Sequence, residues 1–91
     1  MKLSDKIYLK NKDIAWRVIG GSAYLIDSKG SILHELNEVG TRIWELIDGK
    51  KNTDDIAVRV CDEFSVAKES VKKDLSAFLD KIQKKGLVKE T

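Results

Sequence analysis

Apolar residues recur at every second position as far as Leu36 and at every third or fourth position beyond it, and few folds satisfy both halves of that pattern. In DIAWRVI, residues 13–19, Ile14, Trp16 and Val18 alternate with Ala15, Arg17 and Ile19, the two-residue period of a strand whose two faces differ. Gly20-Gly21 follows where a two-residue hairpin turn needs positive φ. AYLID is the return strand, and Asp27-Ser28-Lys29-Gly30 is a second turn with glycine at the left-handed position. SILHEL makes a third strand. Two tight turns joining three strands form an antiparallel meander, and they leave the third strand at an edge unless something covers it.

From LNEVGTRIWELIDG onward the period is helical: Leu36, Val39, Ile43, Leu46 and Ile47 share one stripe. Asn37 is placed to cap that helix and Gly49 to end it. Gly40 interrupts it at a cost of about 1 kcal/mol relative to alanine. A close approach by a strand or a neighbouring helix, with Trp44 lying across the gap, would account for it. A second helix opens at Asn52-Thr53, with Asp54 and Asp55 in its first turn and Ile56, Ala57, Val60, Cys61 and Phe64 on its apolar face. A third runs from after Ser65 to Gly86, with Val71, Leu75, Phe78, Leu79 and Ile82 on one stripe and Lys81, Lys84 and Lys85 near its negative end. Leu87-Val88 is expected to fold back onto the core. The predicted class is α+β: a three-stranded antiparallel β-meander followed by a three-helix bundle. The 91 residues suffice for one small domain, 1–91, in which 1–12 form an extended or flexible segment.

Composition narrows the function. Fourteen of the 17 basic residues are lysines, and they face 15 acidic residues for a net charge of +2. That balance gives no reason to expect nucleic acid or an anionic membrane as partner. No apolar run approaches the roughly 20 residues of a membrane span, and MKLSDKIYLK lacks the apolar core of a secretory signal. With Cys61 as its one cysteine, the chain reads as cytoplasmic.

Catalysis needs a constellation that this sequence does not offer. His34 and Cys61 are the single histidine and cysteine, on different elements, so no metal set or cofactor site is expected. Cys61 sits on an apolar stripe as a small hydrophobe. The six glycines match neither a dinucleotide fingerprint nor a phosphate loop. The expectation is a binding protein, not an enzyme.

Two binding modes fit the pattern. The second and third helices could form a winged-helix or helix-turn-helix unit that reads DNA with Lys68, Lys72 and Lys73. Glu69 and Asp74 interrupt that positive face, and only five residues follow Gly86. Alternatively, the free edge at Ser31, Ile32, Leu33, His34 and Glu35 could accept an extended peptide as a further strand, provided that an apolar groove lies beside it.

LNEVGTRIWELIDG, the opening TDDIA, and VKKDLSAFLDKIQKKGLV together resemble the PqqD family over residues 13–88. The marks are Leu-Asn with glycine three residues on, Asp74 inside the third helix, and the closing Gly-Leu-Val. Residues 1–12 have no counterpart in the resemblance. It implies a winged-helix-like recognition element for ribosomally made, modified peptides (a RiPP recognition element), named for pyrroloquinoline quinone (PQQ) biosynthesis. Such a protein is a non-catalytic chaperone that binds the leader of a precursor peptide and presents it to a modifying enzyme, often of the radical S-adenosylmethionine (radical SAM) type. In the family the leader adds to the third strand and lies against the third helix. Carried to this sequence, the peptide site is Ser31 to Leu36 with Lys68, Val71, Lys72, Leu75, Phe78 and Leu79. The leucines would be its floor, and the lysines would meet acidic leader residues.

Overall fold

The computed structural model describes residues 6–91. Its order is β1 (Tyr8–Lys10), β2 (Ala15–Ile19), β3 (Ser22–Ile26), β4 (Ile32–Leu36), α1 (Glu38–Leu46), α2 (Thr53–Phe64), α3 (Lys68–Lys84) and β5 (Val88–Glu90). The predicted meander is present as a three-stranded antiparallel sheet of order β2-β3-β4, and the three predicted helices follow it.

Gly20 and Gly21 turn the first hairpin at φ +59° and +84°, and Ile19 faces Ser22 across the closing pair. Pairing then runs Trp16 with Leu25 and Val18 with Ala23, so those four residues share the core face. In the central strand, Ala23 and Leu25 are fully buried. On β2, which has no second partner strand among the described residues, Trp16 and Val18 remain 40% and 41% exposed. The alternation in β2 therefore marks a face without sealing it.

The first two helices begin at side-chain caps, whereas α3 starts after Ala67 without one. Asn37 accepts the Gly40 N–H at 2.8 Å, and Asn52 forms a reciprocal capping box with Asp55. Ser65 ends α2 in the left-handed conformation at φ 54°. A β-carbon at Gly40 would lie 3.2 Å from Asn37 Oδ1 and 3.6 Å from Phe78 Cε1. The glycine thus makes room for its helix's own cap and for one ring of α3. Trp44 is fully buried and meets Trp16 edge-to-face, with ring centroids 6.3 Å apart.

Two short strands, β1 and β5, escaped the sequence-based expectation. Within the segment read as extended or flexible, β1 is extended and pairs antiparallel with β5, Tyr8 opposite Glu90. Tyr8 is buried, and the Leu9 side chain fills the space where Gly49, at φ +78°, lacks a β-carbon. Leu87 and Val88 return to the core as the sequence suggested.

Candidate functional site

The outer edge of β4 carries no partner strand among the described residues. Its hydrogen-bonding polarity follows from the hairpin. A two-residue turn closes on a bonded pair, so Ser22 points its backbone groups at β2, and Ala23 and Leu25 point theirs at β4. Ala23 confirms the direction, because its N–H donates to Thr41 Oγ1 of α1 at 2.8 Å. Ala23 faces Leu36 and Leu25 faces His34. His34 and Leu36 therefore turn their N–H groups inward, and Glu35 turns its N–H outward to solvent.

Thr41 fastens this edge to α1. Its buried hydroxyl accepts from Ala23 and donates to the Leu36 carbonyl at 3.3 Å, completing the end of the ladder where α1 begins. Thr41→Val keeps the shape but strands the buried Ala23 N–H. The expected loss is about 1–3 kcal/mol, measurable as a lower denaturant midpoint, and Thr41→Ser should recover most of it.

A bulge interrupts β4. Leu25 faces His34 but Ile26 faces Ile32, so Leu33 is the additional residue. Bulges twist an edge and limit indiscriminate pairing. Ile32 is 64% exposed and Leu33 39%, so the edge also presents apolar surface.

Beside β4 lies one flank of α3. Phe78, half-buried, and Leu36 both lie within van der Waals reach of the space where Gly40 lacks a β-carbon. Asp74, Phe78, Lys81 and Lys85 follow at i, i+4, i+7 and i+11, a single helical stripe. Burial first, and then the positive charges of Lys81 and Lys85, push the His34 imidazole below its ordinary 6.5. The unfolded chain consequently takes up this proton more readily than the folded one. Stability should fall as pH drops below about 6.5 and level off once it passes the folded-state value. Urea titrations between about pH 7 and 5 should show a shallower slope in His34→Gln.

The other expected site residues are distributed differently. Val71, Leu75 and Leu79 are core residues, the two leucines 0% and 2% exposed, and they support the flank from beneath. Lys72 pairs with Asp54 at the start of α2, Nζ to Oδ1 at 3.6 Å. Lys68 stands one turn earlier on the same side of α3. Of the helix residues, the structure brings Phe78 to β4 and leaves Lys68 and Lys72 on the side facing α2. The sequence presents Lys81 and Lys85 as complements of the helix dipole, and the four-residue stripe through Phe78 is the signal that places them on this flank.

Little else in the described residues resembles chemistry. No group of three His, Cys, Asp or Glu side chains is placed to hold a metal. Cys61, on α2, is partly buried against the core. No described helix is long and apolar enough to cross a membrane.

The profile of the family described as Coenzyme PQQ synthesis protein D (PqqD) matches residues 23–88. The chain belongs to the PqqD family. A similar solved structure is that of TbiB1 in complex with the TbiA(beta) leader peptide, with a TM-score of 0.77 at 28% identity. The likeness covers 88% of this PqqD-family chain and 93% of TbiB1. No curated protein matches it. The matched span begins at Ala23, so β1 and β2 lie outside it, whereas β4, all three helices and all of β3 except Ser22 lie within it.

Proposed function

We propose that residues 1–91 are a single non-catalytic peptide chaperone domain that binds the leader of a ribosomally synthesised precursor by strand addition and presents it to a modifying enzyme. One observation carries this reading: β4 offers an unpaired edge beside the Phe78 flank of α3, in a chain folded like TbiB1, whose structure holds a leader peptide. Main-chain bonds to Ser31–Leu36 supply affinity, and side-chain contacts along the groove supply selection. Val71, Leu75 and Leu79 form the rigid bed beneath it. Lys68 and Lys72 stand ready for acidic leader residues that extend past the start of α3. The modifying enzyme is of the radical S-adenosylmethionine type, as the family resemblance implies, and the setting is cytoplasmic.

Calorimetry with the precursor peptide encoded beside this gene is the direct test. Micromolar or tighter association is expected, about 8 kcal/mol, which six to eight residues with two or three apolar anchors can supply. Absence of any heat change would refute the role. A DNA duplex should give no sequence-selective retention at physiological salt, because a net charge of +2 supplies few phosphate contacts.

A further inference from the structure

The flank of α3 nearest β4 is polarised along its length. Leu36 lies by Phe78, and His34 lies within the field of Lys81 and Lys85, one to two turns further along α3. β4 therefore runs opposite to α3. This flank reads Asp74, Phe78 and Lys81 along α3 and then Lys85 at its C-cap: acidic, aromatic, basic, basic. Among the described residues, neither Lys81 nor Lys85 has a carboxylate within salt-bridge distance, whereas Lys84 is paired with Asp80.

We infer that the peptide bound at this edge carries an apolar residue followed two positions later by aspartate or glutamate, the first seated against Phe78 and the second meeting Lys81 and Lys85. The inference rests on the strand-addition reading above and adds direction and chemistry to it. A strand added antiparallel to β4, the stronger pairing, runs in the direction of α3, from Phe78 toward Lys81 and Lys85. Along a helix, Lys81 and Lys85 lie about 4.5 and 10.5 Å beyond Phe78. Two strand residues span about 6.8 Å, so the next side chain on the same face of the peptide arrives between the two ammonium groups. A basic residue there would meet two like charges. An acidic residue at the first position would meet Phe78, with Asp74 one turn behind it. The groove thus favours one charge order and disfavours its reverse.

A displayed library of random twelve-residue peptides, selected on the immobilised protein, tests this. Enriched sequences should share the apolar-x-acidic pattern and bind about tenfold more weakly to the Lys81→Gln/Lys85→Gln double variant. The difference should shrink in 1 M salt, where screening acts over about 3 Å. Should the enriched peptides lose binding to Glu35→Pro yet show no acidic preference, or be indifferent to the double variant, the polarity inference fails and strand addition stands. Should no peptide be enriched, or should the enriched peptides bind Glu35→Pro as they bind the parent, strand addition at β4 fails, and the inference fails with it.

Discussion

His34→Pro should lower stability by about 3 kcal/mol, whereas Glu35→Pro, one residue along, should leave the fold nearly intact and weaken leader binding. The contrast follows from a single alternation. Leu25 faces His34 as a bonded pair, so proline at His34 removes a donor from the ladder that joins β4 to the buried central strand. Glu35 faces Tyr24, whose bonds go to β2, so the Glu35 N–H serves only a visiting strand. Proline is tolerated on an edge where its missing N–H would face solvent. Loss of one main-chain bond to the peptide should cost about 1 kcal/mol, with misfit of the pyrrolidine ring against the incoming strand adding to it. Circular dichroism melts and leader titrations on both variants separate the effects. If Glu35→Pro binds the leader as the parent does, the peptide does not add to β4. The bulge makes Leu33 a poorer probe, because its own backbone lacks a one-to-one partner.

Trp44→Ala should be the most damaging single truncation, at about 3–5 kcal/mol, a large part of the 5–15 kcal/mol that holds most domains together. Trp44 is fully buried and is the largest side chain of the core. Its ring supports Trp16 edge-to-face at an interplanar angle of 81°. Lys10 Nζ lies 5.0 Å from the Trp16 centroid and 5.6 Å from that of Trp44. Removing Trp44 therefore loosens α1, the β2 edge and the first strand together. Trp44→Phe should be much milder. Among the described residues the indole N–H has no acceptor, so the replacement forfeits no hydrogen bond within them and removes a buried orphan donor. Denaturant midpoints of the two variants check this, and equal losses would mean that the indole packing is not what matters.

The meander and the helices were legible because each carries its own period over five residues or more. β1 and β5 were not, because three residues are too few to show alternation and their pairing joins opposite ends of the chain. The bulge at Leu33 was equally hidden: SILHEL alternates no differently with or without it, and only the register against Leu25 and Ile26 exposes it. At the candidate site, the strand half could be located from turn spacing alone. The helix half demanded a choice between two flanks of one amphipathic helix. The apolar stripe Val71, Leu75, Leu79 and Ile82 points into the core, and the polar residues bordering it lie to either side. Nothing local distinguishes Lys72, which pairs with Asp54, from Lys81, whose charge acts on His34. The position of β4 decides between them.

Pairing Tyr8 with Glu90 shuts a loop of roughly eighty residues, whose closure entropy on the (3/2)RT ln n scale is about 4 kcal/mol. Among the described strands every other pairing joins neighbours in sequence, and a single isolated bridge links Ile7 to Asn52. This seam alone bears the full length of the chain, and it brings the two ends of the fold side by side. A backbone cyclised through that seam with a short linker would keep the same contacts and begin folding with its longest ring already made.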